Sequence, residues 1–582
     1  MRKTKIVCTL GPASNSEEKI RALMQAGMNV ARFNFSHGTH DSHKQTFERV
    51  DRIRSELGLP VATLLDTKGP EIRLGLFRDG KAMLEAGSEF VLTTKECEGD
   101  ASHAYITFAG LVEDVDKGGK ILLNDGAIEL RVKEKTDTDI ICEVVNSGII
   151  SDRKGVNVPG IHLSMPYISE RDREDINFGI ETGFDFIAAS FVRNAEDILA
   201  IRQQLERREN HTIRIIAKIE NAEGVQNIDE ILKVSDGIMV ARGDMGVEIP
   251  AEEVPVLQKI LIRKCYNAGK MVITATQMLE SMIHNPHPTR AETADVANAI
   301  YDGTSAIMLS GETAAGDYPI EAVRTMAAIA DRIERDIDYR KRFFAREGGD
   351  LPDVTNAISH ATCTTAYDLG AAAIITVTWS GTTAQMLSKY RPAIPIIACT
   401  HEEVAYRQMA LSWGVTPLKV GVMEDTDSLF AHAVDAAQQA GYVKNGDMVV
   451  ITAGVPLGIN GTTNLLKVHV VGDILVTGQG VNKRRAVGKV CVARTDEEAL
   501  SNFTDGDILV VPQTSNKLLP ILKKAAGIVT EAGGMNSHAA IVGMTLDIPV
   551  VVFAEKATSI LKPSTQVEID AACGTVSIRR NE

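Results

Sequence analysis

The sequence predicts an α/β protein whose largest part is a closed (β/α)8 TIM barrel. Two observations predict it, and a third predicts a domain inserted into it. Eight short, β-rich apolar runs alternate with helical stretches, the runs end in polar residues, and one connection is far longer than a βα loop requires. Continuously apolar strands belong to parallel sheets covered on both faces, and eight of them suit a barrel.

The runs are KIVCTL (5–10), VARFNFS (30–36), VATLLDT (61–67), FIAASF (186–191), IRIIAKIE (213–220), GIMVARG (237–243), MVITAT (271–276) and AIMLSG (306–311). In a barrel of this kind the strand ends form the reactive face. Here they carry Arg32, Asn34, Ser36, Asp66, Thr67, Lys218, Glu220, Asp244 and Thr276. Lys218 and Glu220 are two apart on one strand, so the pleat points both to the same side. Asp244 follows the next run. One cation with two carboxylates suits a divalent metal and an anionic, phosphorylated substrate. A buried ion pair accounts for the same spacing.

The long connection covers residues 68–185. Within it, residues 70–166 lack helical periodicity and carry the turn signals RDGK, DKGGK, LLNDGAIEL and VNVPG between alternating runs, the pattern of a small antiparallel β domain, expected as an inserted β-barrel lid. Standing on a βα loop, it overhangs the reactive face as a lid able to exclude water. The barrel is expected over 1–69 and 167–345, and a second α/β domain over 346–472. Its strands are expected in AAIITVTWS, IPIIACT, VTPLKV, DMVVITAG and LLKVHVV. The turn WSGTTAQM sets Thr378, Ser380, Thr382 and Thr383 between a strand and a helix, where hydroxyls and amides either cradle a phosphate or cap the helix. Residues 473–582 form an appended β-rich domain in which His538 follows a Gly-rich turn and starts a helix.

Bulk properties bound the function. A chain of 582 residues holds several domains. With 44% hydrophobic and 24% charged residues, a mean hydropathy of −0.02 and no apolar run of membrane-spanning length, a soluble protein is expected. The N-terminus reads as a first strand rather than a signal peptide, which predicts a cytoplasmic chain. Eight cysteines without a C-x-x-C pair argue for reduced thiols and against a zinc knuckle or disulfide framework. A net charge of −15 disfavours non-specific nucleic-acid binding, so anions must be captured by locally placed cations or metals.

Over about the first 470 residues the chain resembles the pyruvate kinase family, through KIVCTLGPAS, NVARFNFSHG (29–38), LLDTKGPEIR (64–73), KGVNVPG (154–160), KIENAEG (218–224), ARGDMGVEIP (241–250), TATQMLESM (274–282) and MLSGETAAGDYP (308–319). The resemblance implies transfer of a phosphoryl group from phosphoenolpyruvate to ADP, the last step of glycolysis, followed by protonation of the pyruvate enolate. It also implies site roles. Glu220 and Asp244 would hold Mg2+ or Mn2+, Lys218 would neutralise the moving charge, and Arg32 would contact phosphate. Amides near Gly243 and Asp244 would hold the substrate carboxylate, with Thr276 beside the enolate. Asn34, Ser36, Asp66 and Thr67 match monovalent-cation ligands, and Glu71, where a Lys would replace the ion, implies K+ activation. Asn34, His37, Arg73 and Lys154 match nucleotide-contacting positions. A homotetramer and a small phosphorylated effector, a sugar phosphate or a nucleoside monophosphate, are further implications.

The tail resembles the swivelling phosphohistidine domain of phosphoenolpyruvate-utilising enzymes through DGDILV (505–510), GIVTEAGG (527–534), SHAAIV (537–542) and IPVVV (548–552), with His538 at the phosphate-carrying position. Two departures stand against activity there: Asn536 replaces the usual Thr, and Gly543-Met544 occupy the place of an Arg that would clamp phosphate. Two further readings compete: a dikinase-like phosphotransferase using His538, and a non-catalytic metabolite-binding regulator. The first would need a separate nucleotide-binding domain for which no length remains, and the second does not explain Arg32, Lys218, Glu220, Asp244 and Thr276 together.

Overall fold

The computed structural model describes residues 1–346, 353–422, 425–455, 463–472 and 474–578. Its chain contacts gather into two compact units, one of Met1–Cys363, Thr376–Gly421 and Ala453–Asn464, the other of Thr364–Ile375, Val422–Thr452 and Leu465–Glu582.

The first unit holds the barrel. Its strands are β1 (Lys5–Thr9), β2 (Val30–Asn34), β3 (Ala62–Asp66), β4 (Phe186–Ala189), β5 (Arg214–Ile219), β6 (Gly237–Ala241), β7 (Met271–Ala275) and β8 (Ala306–Leu309). They close in the order β1-β8-β7-β6-β5-β4-β3-β2, every pair parallel. All eight predicted runs are strands of this one barrel.

Strand periodicity explains both core and mouth. Val7, Val30, Leu64, Phe186, Ile216, Met239, Ile273 and Met308, one from each strand, pack together in the interior. Their sequence neighbours, such as Ile6, Cys8, Ala31, Leu65, Ile187 and Ile215, point outward and pack in the layer under the helices. Moving two residues on from the interior set reaches Thr9, Arg32, Asp66, Ala188, Lys218 and Ala241. The polar members of this next layer thus face inward at the mouth because the pleat gives them no other side. The surrounding helices are stopped locally: Thr39 and Ser42 form a capping box at His40–Leu57, and Gly58 ends that helix at φ +62°.

The insert is a seven-stranded sheet, from Ile72–Arg73 at one edge to His103–Tyr105 at the other, plus a two-stranded sheet. An antiparallel bridge between Leu74 and Ile106 joins the two edges, so the larger sheet closes on itself around Phe90, Leu92, Ile121, Leu130 and Val132. One pair in it, Glu89–Thr93 with His103–Tyr105, is parallel. Beyond the barrel, helices alternate with the strands Ala373–Val377, Ile396–Thr400, Val415–Lys419, Met448–Gly454 and Thr463–Val470. These fall on the five runs expected of the second α/β domain.

In the second unit, residues from Ile474 onward form an eight-stranded mixed sheet. Leu509 and Val511 face one core, Ile508 and Val510 the other. The helix His538–Leu546 begins at Ser537, whose hydroxyl accepts from the Ala540 amide. Asp473, at which the appended domain is expected to begin, lies outside the described residues. All eight cysteines are free thiols, six of them buried. Among the described residues no helix is long and apolar enough to cross a membrane.

Candidate active site

At the barrel mouth the β2, β3 and β5 ends meet in one buried charge cluster. Arg32 donates from Nε to Asp66 Oδ2 at 2.6 Å and from Nη1 to the Thr9 hydroxyl at 2.8 Å. The Lys218 ammonium lies 3.1 Å from Asp66 Oδ1, 2.9 Å from Glu220 Oε1 and 2.7 Å from the Ser190 hydroxyl. Glu220 accepts the Phe191 amide at 2.5 Å through its other oxygen. Asp66 is 1% and Glu220 2% exposed.

Burial penalises every charge in this cluster, and the partners decide the outcome. Burial alone would raise the Asp66 carboxyl, but Arg32 and then Lys218 pull it below the usual carboxylate range. At Glu220 the Lys218 cation is opposed by the like charge of Asp244. Burial therefore pushes it up to about 7. For Lys218 burial works against the charge and is overcome by Asp66 and Glu220, which hold the ammonium above the ordinary lysine value.

Asp244 sits in the first turn of the short helix Arg242–Glu248 that follows β6. The Gly243 amide donates to the Thr276 hydroxyl at 2.9 Å, and Thr276 itself, just past β7, adopts φ +66°. A non-glycine residue held in that conformation costs free energy and persists only where its surroundings enforce it. Arg242 does so, donating to the carbonyls of Ala275 at 3.2 Å and Thr276 at 2.6 Å while paired to Asp295.

Between insert and barrel lies a cleft of about 420 Å3, lined among others by Glu71, Arg73, Lys154, Phe191, Asp244 and Glu248. Arg73 grips Glu71 with two bonds, at 2.8 and 3.1 Å, and donates to the Arg153 carbonyl at 2.8 Å. Asp244 and Phe191 connect the two regions, since Asp244 lines the cleft and bears on Glu220, and the Phe191 amide binds Glu220. Asn34, Ser36 and His37 stand on the turn after β2. There Asn34 Oδ1 accepts the Ser36 amide at 3.1 Å and His37 is exposed. Thr67 is buried, with its hydroxyl 3.3 Å from the Ala188 carbonyl. The predicted residues thus divide into a buried cluster, a cleft and a turn. Among the described residues no set of three or more His, Cys, Asp or Glu side chains could hold a metal alone.

Around 378–383 the hydroxyls turn to one another. Ser380 and Thr382 share a bond at 2.8 Å, Thr383 pairs with Thr463 at 2.8 Å, and Thr378 accepts the Gly381 amide at 3.0 Å. Gly381, at φ +82°, is the N-cap of the helix Thr382–Lys389, which has no side-chain cap among the described residues. In the second unit His538 Nδ1 lies 2.8 Å from the Thr514 hydroxyl and Nε2 3.1 Å from Asn516 Oδ1.

Residue-type reasoning missed Thr9, Ser190, the Phe191 amide and Arg242. Ser190 and Thr9 were within reach, being the next inward positions after Ala188 and Val7. The Phe191 amide leaves no mark on sequence, because its aim depends on a φ of +55°.

Comparison with known proteins finds relatives along nearly the whole chain. The family model described as "Pyruvate kinase, barrel domain" matches residues 1–323, "Pyruvate kinase, alpha/beta domain" matches 356–469, and "PEP-utilising enzyme, mobile domain" matches 503–574. A pyruvate kinase of Geobacillus stearothermophilus is 52% identical over 577 residues, covering 99% of this chain and 98% of the relative. One of Bacillus licheniformis is 51% identical over 578 residues, covering 99% of each. A crystal structure of a pyruvate kinase from Cryptosporidium parvum, 40% identical, superposes with a TM-score of 0.76 over 81% of this chain and 96% of that one. With the barrel matched as a whole and half the residues identical to curated relatives along nearly the full length, the chain belongs to the pyruvate kinase family.

Proposed function

We propose that the buried cluster and the cleft divide the pyruvate kinase reaction between them, the cluster holding phosphoenolpyruvate and the cleft holding ADP. The observation that carries this is the Lys218 ammonium, fixed between Asp66 at 3.1 Å and Glu220 at 2.9 Å beside the Arg32 guanidinium. Phosphoryl transfer asks a protein for alignment and charge stabilisation rather than covalent chemistry. Two cations preset by carboxylates meet that demand without reorganising during the reaction. In this reading Arg32 orients phosphate oxygens and Lys218 stabilises first the transferring phosphoryl and then the enolate oxygen. The amides at Gly243 and Asp244 hold the substrate carboxylate. Thr276 orders the proton-donating water on the enolate face.

The residues suit a divalent cation, Mg2+ or Mn2+, between Glu220 and Asp244. Glu220 is a carboxylate pushed up to about 7 by burial, with Asp244 adding like charge, and a cation between them removes both penalties. Two protein carboxylates leave most coordination positions to substrate and water, as Mg2+ prefers. When bound, the ion neutralises the substrate's carboxylate and phosphate oxygens. For K+, Asn34 and Asp66 face each other in register across β2 and β3, with Ser36 and Thr67 one or two residues on. Arg73, Lys154, His37 and Asn34 are assigned to the nucleotide. The grip of Glu71 on Arg73 supports a guanidinium held ready at the cleft.

At 378–383 we assign a phosphorylated effector, a sugar phosphate or a nucleoside monophosphate, supported by the helix start that no side chain caps. A cytoplasmic homotetramer is the assembly this reading expects. Pyruvate formation from phosphoenolpyruvate and ADP, followed with and without Mg2+ and K+, tests the assignment. Turnover independent of both ions would remove the cation sites, and saturation curves unchanged by any sugar phosphate or nucleotide would remove the effector site.

A further inference from the structure

The turn after β2 does not hold itself. Three bonds arise from the barrel and the turn: Phe35 N to the Asp66 carbonyl at 3.0 Å, His37 N to the Asn34 carbonyl at 3.2 Å, and Ser36 N to Asn34 Oδ1 at 3.1 Å. The carbonyls of Phe35 and His37 are instead held from outside, by side chains of two helices. Arg171, on Glu170–Thr182, donates from Nη2 to the Phe35 carbonyl at 2.8 Å. His43, on His40–Leu57, donates from Nε2 to the His37 carbonyl at 2.9 Å and stacks on the Phe35 ring at 4.2 Å and 16°.

A further layer fixes these two. His40 donates to Asp175 Oδ1 at 2.6 Å and stacks on Phe178 at 4.5 Å. Asp175 is 3% exposed, and its Oδ2 accepts no hydrogen bond among the described residues. Arg171 Nε stands 3.9 Å from that oxygen. The buried carboxylate thus draws the guanidinium toward the turn without satisfying it, leaving Nη2 for Phe35. Burial holds His43 below the usual histidine value, consistent with a neutral ring whose single proton lies on Nε2. Gly38 completes the fit: it adopts φ +81°, and a Cβ there would stand 3.1 Å from His43 Nε2.

We propose that His43 and Arg171 are positioning residues that set the affinity of the site for ADP and for the monovalent cation, by fixing the turn that carries Asn34, Ser36 and His37. The proposal rests on the roles assigned to those three residues above. Neither His43 nor Arg171 belongs to the cluster or the cleft. Their effect travels through two backbone carbonyls, so it reaches the ligands on the turn and spares the phosphoenolpyruvate cluster around Lys218.

Steady-state kinetics on the full chain test this with two pairs of variants. Arg171→Leu and His43→Leu remove the donors, and Arg171→Lys and His43→Gln keep one. The leucine variants are expected to raise the KM for ADP and the half-activating K+ concentration roughly 5- to 20-fold, with kcat at saturation and the KM for phosphoenolpyruvate within about 2-fold. The lysine and glutamine variants should recover most of the loss. Unchanged ADP and K+ dependence in the leucine variants would overturn the proposal. So would a fall in kcat that tracks lost thermal stability, with every KM unchanged. If Arg171→Leu does not fold, His43→Leu decides, because that ring is only part-buried. Failure of the underlying reading is separable: it appears in the unaltered chain as no pyruvate formed, and takes this proposal with it.

Discussion

Two lysines stand inside the same barrel at opposite ends and fare differently. Lys5 is two residues before the interior Val7 of β1, and Lys218 two residues after the interior Ile216 of β5. Both are buried, 6% and 9% exposed. At the base, the Lys5 ammonium donates to the Val415 carbonyl at 2.6 Å, and burial, with Arg2 as a neighbouring like charge, lowers it to about 7. At the mouth, Asp66 and Glu220 reverse the same burial penalty and keep Lys218 charged. Equal burial thus gives an anchoring amine at one end and a permanent cation at the other. The difference lies in the direct partner, a carbonyl for Lys5, where Glu334 does not offset burial, and two carboxylates for Lys218.

The strongest way to break the comparison is Lys218→Met. Losing the one cation shared by two buried carboxylates should lower kcat by about 10^2–10^3-fold or more in a pyruvate-coupled assay, with the far-ultraviolet circular dichroism of the native barrel retained. Turnover near that of the unaltered chain would move the electrostatic centre elsewhere. Glu220→Gln comes next. It leaves Lys218 charged through Asp66 but removes one proposed metal ligand, so the half-saturating Mg2+ concentration should rise at least about 10-fold, with a kcat loss on the order of 10^2. A Mg2+ dependence left unchanged would separate Glu220 from the metal.

The base gives a smaller effect, on stability. Lys5 has a folded value of about 7, below its unfolded value, so the unfolded chain binds more protons between the two. Its contribution is therefore unfavourable below pH 7 and fades as pH rises toward the unfolded lysine value. Lys5→Met removes that dependence. Measured against the unaltered chain, the variant should gain stability on going from pH 9.5 to pH 6, by an amount on the order of 1–4 kcal/mol. Turnover should stay within about 2-fold, as expected of a change at the base of a barrel. A stability difference flat across that range would mean that Lys5 is charged at both ends of it.

How much of this was legible follows from what each feature depends on. The eight strands were, because a parallel barrel demands continuous apolar runs and each run ends where its pleat reaches the mouth. The Lys218–Glu220 side was legible by the same period of two. Which edges close the insert was not: the Leu74–Ile106 bridge pairs residues far apart in the chain, and only turn signals marked the strands. The cleft's Arg73–Glu71 grip and the outer hold of Arg171 and His43 on the β2 turn depend on backbone carbonyls and rotamers, which residue types do not report. Nor does any composition shift announce that Leu465–Glu582 groups with Thr364–Ile375 and Val422–Thr452.

His538 extends the comparison to a third case, in which both partners are uncharged. The Thr514 hydroxyl engages one ring nitrogen and Asn516 Oδ1 accepts from the other, so both nitrogens are already taken by uncharged groups. A phosphoryl group on either nitrogen would break one of these bonds and bring charge that neither partner offsets. Nor can a clamp be restored at Gly543, where a Cβ would lie 2.0 Å from Val550 Cγ2, inside the contact that seats the helix on the sheet. His538→Ala in the full chain should therefore change turnover by less than about 2-fold, the smallest effect in the series. Incubation with phosphoenolpyruvate labelled in its phosphate makes the test sharper. An acid-labile, base-stable label present in the unaltered chain and lost in His538→Ala would mean that neutral partners suffice for a phosphohistidine, and would break the rule drawn from the two lysines.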